Sequence, residues 1–268
     1  MSITAARLPA FYISHGGGPC FDMDFGPGGN PFEGLRAYLA GFSANLGARP
    51  RSILVVSAHW EAAVPTLTAH PQPPLIYDYT NFPPHTYALR YDVPGSPELA
   101  ARARELLAAA GIASSADAAR GLDHGVFVPF RVMYPQAEIP LVQLSLQFGY
   151  DPERHFAIGR ALAPLRDEGV LIVGSGMSFH NLRTMFDGRR DDAERFDTWL
   201  NGVVTADPER RAAGLARWSS APAARAAHPE EDHLAPLFVV SGAASGDAGT
   251  AVYRDVLLNK PISGFRFG

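Results

Sequence analysis

Cysteine is nearly absent from this sequence, since Cys20 is the only one in 268 residues. An intrachain disulfide needs two cysteines, and cysteine-rich zinc sites and iron–sulfur clusters need more, so this chain alone forms none of them. A lone cysteine beside a loop is more typical of a buried, unreactive thiol, with a cysteine nucleophile as the alternative. Any bound metal ion must therefore be held by histidine, aspartate or glutamate.

The sequence also lacks long apolar runs and clusters of basic residues. No apolar stretch approaches the roughly 20 residues that span a bilayer, and the N-terminal MSITAARLPA lacks the apolar centre of a secretory signal. The formal net charge is −4, and the basic residues are dispersed rather than gathered as a nucleic-acid-binding surface requires. We therefore expect a cytoplasmic protein that binds neither nucleic acid nor membrane. A monomer or a small homo-oligomer is the expected assembly.

Apolar runs typical of buried strands recur along the chain. SILVVSA at 52–58, IPLVQLSLQ at 139–147 and VLIVGSG at 170–176 predict strands covered on both faces. The runs at 66–70 and 87–93 are candidates for additional antiparallel strands. These segments predict a central sheet that is mostly parallel or mixed.

Helix signals alternate with these strands. Ser96 and Asp151 are each followed by proline and glutamate, which predicts two helix starts, and Gly111 and Gly169 predict the ends of the same helices. No linker or internal repeat divides the chain, and 47% of its residues are hydrophobic, which is enough for one large core. We predict a layered α/β fold, with helices flanking the sheet in a single catalytic domain over residues 1–268.

Five of the nine histidines stand out by their position. His15 in FYISHGGGPC, His59 in SAHW and His180 after VLIVGSG lie at or shortly after predicted strand ends, whereas His124 lies in GLDHG and His233 in HPEEDHLAP. The carboxyl ends of parallel strands meet at one edge of a sheet, so we expect a shared site there. Three neutral imidazoles suit a divalent first-row metal, and two more would transfer protons.

Neighbouring residues give further expectations. Asp123 either caps the turn that follows it or orients an imidazole. Pro229 is expected to start a helix on which His233 points inward and His228 lies at the rim. The glycines after His15 do not form a GxGxxG or GxxxxGK[ST] phosphate loop, and VGSGMS is not a GxSxG nucleophile elbow.

Six segments together resemble the class III extradiol ring-cleavage dioxygenases, in particular the 4,5-DOPA dioxygenase extradiol-like branch. The segments are ISHGGGP, VVSAHWE, YDYTNFPPHTYALRYDVPGSPELA, GLDHGVFVPF with MYPQAEIPLVQLSL, GSGMSFHNLR, and HPEEDHLAPLFVVSGAA. They occur in the order of the family and cover nearly the whole chain. One departure is Asn81, which stands before Phe-Pro where we expect glycine.

The resemblance implies a metal-dependent enzyme that opens the ring of a catechol-type substrate with O₂. It implies that His15, His59 and His233 bind the metal, that His180 is the base or a fourth ligand, and that His124 is the second active-site histidine. Fe(II) is expected because O₂ chemistry needs a redox-active ion, and Zn(II) is the alternative bound metal. A zinc-dependent hydrolase and a non-catalytic metal-binding protein of the same fold are the alternative functions.

The substrate's substituent is expected to meet residues outside the metal site. Tyr77, Tyr79 and Phe82 of YDYTNFPPHTY are candidates to stack on the ring or to hydrogen-bond it, or else they pack within their own loop. Arg183, three residues after His180, is the candidate for binding a substrate carboxylate, with a solvated surface arginine as the alternative.

Overall fold

Eight strands form one sheet in residues 7–268, the part of the chain that the computed structural model describes; residues 1–6 of the predicted domain lie outside it. The strands are β1 (Ala10–Ser14), β2 (Ser52–Ala62), β3 (Thr66–Thr68), β4 (Ser115–Asp117), β5 (Leu141–Gln147), β6 (Val170–Gly176), β7 (Gly249–Leu257) and β8 (Lys260–Phe267). Their order is β4-β3-β5-β2-β6-β1-β8-β7. The central strands β5, β2, β6 and β1 are parallel, and antiparallel pairs flank them. The predicted mixed sheet is confirmed.

The three longest apolar runs form β2, β5 and β6, as predicted. β2 continues to Ala62, so His59 lies within this strand rather than after it. The predicted strand at 87–93 is wrong, because a short helical turn and irregular backbone occupy this stretch. The Tyr77 hydroxyl donates to the Leu89 carbonyl, a group that a strand would need for its own pairing.

Nine α-helices accompany the sheet within residues 7–268. They are α1 (Glu33–Ala40), α2 (Phe42–Leu46), α3 (Pro97–Ala109), α4 (His124–Met133), α5 (Pro152–Leu162), α6 (Asp191–Val204), α7 (Pro208–Ala216), α8 (Ala224–Ala227) and α9 (Ala235–Ala243). The predicted starts of α3 and α5 are confirmed, since Ser96 Oγ accepts from Leu99 N at 3.1 Å and Asp151 Oδ1 accepts from Arg154 N at 2.8 Å.

The helix predicted from Pro229 is wrong, because α9 begins only at Ala235. The intervening residues form turns, and the His233 carbonyl accepts hydrogen bonds from Met177 N and from the Tyr12 hydroxyl. These two hydrogen bonds attach the His233 carbonyl to the sheet edge, so it does not take part in a helical hydrogen bond.

Helices cover both faces of the sheet. Gly174 and Ser175 are neighbours on β6 and so point to opposite faces. A Cβ on Gly174 would meet the α9 backbone at Pro236, whereas the Ser175 hydroxyl donates to the α4 carbonyl of Gly125. Helices on both faces confirm the predicted flanked α/β sheet. Within residues 7–268 no helix combines the length and the apolar character needed to cross a bilayer.

Candidate metal and active site

The carboxyl edge of the central strands brings the five selected histidines together. His15 follows β1, His59 lies near the end of β2, His124 is the first residue of α4, His180 follows β6 and His233 precedes α9. The ring centroids of His15, His59 and His233 lie 4.9–5.2 Å apart. His124 lies 4.0 Å from His59, and His180 lies 3.3 Å from His233, again between ring centroids.

Two glycines allow the backbone to come this close. Gly16 has φ +80°, in the left-handed region that favours glycine, and a Cβ there would lie 2.3 Å from Cys20 Sγ. A Cβ on Gly176 would lie 2.1 Å from the carbonyl oxygen of His233. Gly16 thus lets the loop after His15 fold back on Cys20, and Gly176 at the end of β6 lets the backbone of His233 approach the sheet edge.

Hydrogen bonds on Nδ1 orient two of the imidazoles. His15 Nδ1 lies 3.1 Å from Ser175 Oγ, and because this hydroxyl donates to the Gly125 carbonyl, it accepts from His15. His233 Nδ1 lies 2.8 Å from the carboxylate of Asp232, which accepts its proton. In both rings Nε2 is therefore the unprotonated nitrogen, which is the form that binds a metal ion.

The donor set of His15, His59 and His233 fits a divalent metal ion. One nitrogen from each ring lies within 4.8 Å of the other two, and the Nε2 atoms of His15 and His59 are 3.1 Å apart. Two nitrogens bound at about 2.1 Å to one ion lie roughly 3.0–3.4 Å apart, so this spacing is suitable. Burial lowers the pKa of His59 to about 3 and lowers the pKa of His15 and His233 well below the ordinary range, which keeps the donors neutral.

His124 is held by a carboxylate that sequence reasoning missed. Asp78 Oδ1 accepts from both the backbone N of His124, at 2.8 Å, and its Nδ1, at 2.9 Å. Neither role expected for Asp123 occurs: its buried carboxylate accepts from Ser57 Oγ at 2.7 Å and from the Gln143 amide, and it makes no helix cap. The sequence feature that could have indicated Asp78 is its position in YDYTNFPP, within one of the six segments that resemble the family.

His180 packs face to face on His233, but its nitrogens do not belong to the donor group of His15, His59 and His233. The planes of the two rings differ by 16°. A nitrogen of His180 groups with Asp232 and His233, rather than with His15 and His59, among the ligand atoms within 4.8 Å. Burial lowers the pKa of His180, so its imidazole is neutral and ready to accept a proton.

Two neighbouring side chains have structural rather than catalytic surroundings. His228 was expected at the rim, but it is fully buried, packs against Phe196 and Trp218, and places Nε2 3.0 Å from the Ser178 carbonyl. Its backbone enters a turn instead of the predicted helix, so the ring points into the core. Cys20 is also buried, and burial raises the pKa of its thiol to about 12, as the unreactive interpretation requires.

A cavity of about 380 Å³ opens in front of the histidines. All five histidines line it, together with Gly16–Gly18, Tyr79 and Phe82. Tyr77 and Arg183 do not belong to the lining that residues 7–268 form around this cavity. Tyr77 instead supports Tyr79 edge-on, with ring centroids 6.2 Å apart, and Arg183 is exposed on the surface.

Asn81 shapes the loop that carries these aromatic residues. Its φ is +65°, in the left-handed region where glycine is most comfortable and asparagine is tolerated. The departure from the expected glycine therefore keeps the conformation of the turn, and the Phe82 ring still reaches Gly18.

Apolar side chains line the remainder of the cavity. We call six of them the apolar wall: Phe25, Phe82, Leu182, Met185, Phe186 and Leu258. Lys260 fixes the segment that carries three of them, because its buried ammonium donates to the Asp187 carboxylate at 2.9 Å and to the Arg189 carbonyl. The β7–β8 turn and the 181–190 segment thus form one support for the wall.

The family model for the catalytic LigB subunit of aromatic ring-opening dioxygenase matches residues 9–267. The chain belongs to this family. The 4,5-DOPA dioxygenase extradiol of Portulaca grandiflora is 43% identical over 254 residues, which is 91% of this chain and 90% of the relative. The protein of the same name from Beta vulgaris is 40% identical over 238 residues, 87% and 86% of the two chains.

A solved structure supports the fold. The crystal structure of uncharacterized protein JW3007 from Escherichia coli K12 superimposes with a TM-score of 0.78 at 29% identity, covering 98% of this chain and 100% of the other. This chain is therefore a ring-opening dioxygenase of the extradiol type, in a metal-dependent family whose small-molecule substrates are a catechol and O₂.

Proposed function

We propose that the enzyme binds Fe(II) through His15, His59 and His233 and cleaves a substituted catechol beside its two hydroxyls. The observation that carries the proposal is the three-imidazole group, in which Ser175 and Asp232 leave the Nε2 atoms of His15 and His233 free. Bound Fe(II) would supply the redox chemistry with O₂ that Zn²⁺ does not offer. Zn(II) is then an inactive occupant of the same donors.

The two remaining histidines act on protons in this proposal. His180 is neutral because burial lowers its pKa, and it accepts a proton from a catechol hydroxyl. His124 holds its Nδ1 proton against Asp78, so Nε2 is the nitrogen that exchanges protons with the oxygens of substrate and product. The stacking of His180 on His233 supports the base role rather than that of a fourth ligand.

The aromatic loop positions the catechol ring. Tyr79 and Phe82 line the cavity and offer faces and edges for stacking, whereas Tyr77 acts through its contact with Tyr79. Arg183 could bind a substrate carboxylate only if its exposed side chain moved toward the mouth of the cavity.

The remaining features of the proposal concern the whole chain. We propose that residues 1–268 act as one catalytic domain, in support of which the family match extends over residues 9–267. A cytoplasmic location, a monomeric or small homo-oligomeric state and the absence of nucleic-acid binding stay predictions from the sequence.

Oxygen uptake tests the function. Protein loaded anaerobically with Fe(II) is mixed with catechol, and air is then admitted while O₂ and the absorbance of the yellow ring-fission product are followed. We expect one O₂ per catechol, with no reaction in zinc-loaded protein or without air. Absence of O₂ uptake with every catechol contradicts the proposal, and product formation under strict anaerobiosis indicates a hydrolase instead.

A further inference from the structure

The walls of the cavity offer a substrate substituent little but apolar contact. Apart from the five histidines and Tyr79, every lining residue from the described part of the chain is glycine, phenylalanine, leucine or methionine. The set contains no arginine, lysine, aspartate or glutamate. A charged substituent that enters this space loses part of its hydration and gains no charged partner from the described lining, whereas an apolar one is stabilised by leaving water.

Lys260, Asp78 and Asp232 beside the cavity are held in other contacts, and Arg183 is exposed to solvent outside the lining. Lys260, the only lysine in the sequence, is buried against Asp187 and the Arg189 carbonyl. The carboxylates of Asp78 and Asp232 lie against the histidines. A substrate carboxylate directed toward the apolar wall, away from the metal site, would find no cationic side chain among the lining residues that 7–268 supply.

Part of the apolar wall is exposed to solvent. Phe186 and Leu182 are 74% and 67% exposed, and Phe25 is 42% exposed. Exposed apolar side chains gathered at one cavity mark a surface that a ligand covers, in contrast to scattered single ones. An alkyl or aryl group on the catechol would cover them while its hydroxyls face the histidines.

We propose that the enzyme selects catechols with an uncharged apolar substituent over catechols with a carboxylate or an amino-acid side chain. The proposal rests on the proposed function for the position of the catechol hydroxyls. The preference is proposed for this chain only, whereas two of its relatives are named for DOPA, a catechol with an amino-acid side chain. The apolar wall is the specificity-determining surface.

A matched pair of substrates tests the preference: 4-propylcatechol and 3-(3,4-dihydroxyphenyl)propionate have the same side-chain length and differ by a methyl in place of a carboxylate. In the Fe(II) enzyme we expect kcat/KM for the propyl compound to exceed that for the acid at least tenfold. Along methyl-, ethyl- and propylcatechol it should rise about three- to fourfold for each methylene. Equal or better turnover of the acid overturns the preference and leaves the proposed function intact.

A pair of phenylalanine-to-arginine variants locates the effect. Phe186→Arg places a cation on the apolar wall, and Phe148→Arg places the same charge on a 55% exposed residue that does not line the cavity. We expect Phe186→Arg to shift the propyl-to-acid ratio toward the acid by about tenfold, and Phe148→Arg to leave it unchanged. A ratio unaffected in Phe186→Arg, or shifted equally in both variants, overturns the role of the wall.

Binding without turnover separates the two proposals. Zinc-loaded protein is titrated anaerobically with the same two compounds in a calorimeter. A Kd at least tenfold lower for 4-propylcatechol supports the preference even if no catechol is turned over, in which case only the proposed function fails. Equal Kd values, or tighter binding of the acid, overturn the preference independently of activity.

Discussion

The exchange of Asp78 for asparagine tests whether this carboxylate tunes His124. Asparagine keeps an oxygen for the backbone N and Nδ1 of His124, at 2.8 and 2.9 Å in the wild type, but removes the negative charge. A hydrogen bond to a charged group contributes about 1.5–3 kcal/mol and a neutral one about 0.5–1.5 kcal/mol, so the imidazolium formed during proton transfer loses roughly 1–2 kcal/mol. We expect kcat to fall about 5- to 30-fold.

The assay combines steady-state kinetics with elemental analysis. Asp78→Asn should retain its metal and a KM for catechol within about twofold, because Asp78 is outside the three-histidine donor group of His15, His59 and His233. Asp78→Ala, which leaves two donors of His124 without an acceptor, should lose about 10²-fold in kcat.

Asp22→Asn is the matched control. Asp22 pairs with Arg131 at 2.8 Å, and its side chain is 23% exposed against 24% for Asp78, but its carboxylate bonds Arg131 instead of one of the five histidines. Its exchange should change stability and leave kcat unchanged. A wild-type kcat in Asp78→Asn, or a loss of activity that merely follows a loss of metal, refutes the positioning role.

Four further predictions follow. His15→Ala should lose most bound metal, whereas His124→Ala should keep it and lose about 10²–10⁴-fold in kcat; a full metal complement in His15→Ala contradicts the site. His180→Ala should keep metal and lose turnover, since metal loss would make it a ligand. Arg183→Ala should change kcat/KM for acid-bearing catechols less than about twofold because it is outside the cavity, whereas a tenfold loss confined to acids would support an anchor. Burial lowers the pKa of His228 to about 4, so between pH 6.5 and 4 the unfolded chain binds the extra proton and stability falls as pH falls; in urea unfolding of metal-free protein, this loss should be about 3 kcal/mol smaller in His228→Leu.

The central fold was predictable because its signals are local. Continuous apolar runs marked β2, β5 and β6, and Ser-Pro-Glu and Asp-Pro-Glu marked the starts of α3 and α5. The β7–β8 hairpin was not predicted, because its turn residues Leu258 and Asn259 adopt φ of +49° and +66° without the glycine that normally signals such a turn. Here the surrounding packing outweighs the local preference.

The positions of the histidines were predictable, but their partners were not. Strand ends that share a sheet edge place His15, His59 and His180 together from sequence order alone. The partner of His15 depends on register, since β1 and β6 pair Ile13 with Ser175 and so bring this hydroxyl below the His15 ring. Asp78 lies 46 residues before His124, and no periodic pattern links a loop carboxylate to a distant helix start.

The Nδ1 partners decide which nitrogen of each imidazole faces the site. His15 donates to the Ser175 hydroxyl and His233 to the Asp232 carboxylate, which leaves Nε2 for the metal in both, whereas the carboxylate of Asp78 stabilises the cation that His124 becomes as an acid or base. Neutral donors leave a divalent ion with its full charge, and the carboxylates of Asp78 and Asp232 then offset that charge locally. A catechol brings its own negative charge when it loses a proton, so a further carboxylate on its substituent would find no cation left in the lining. The charge balance of the metal site and the apolar wall therefore favour the same substrates.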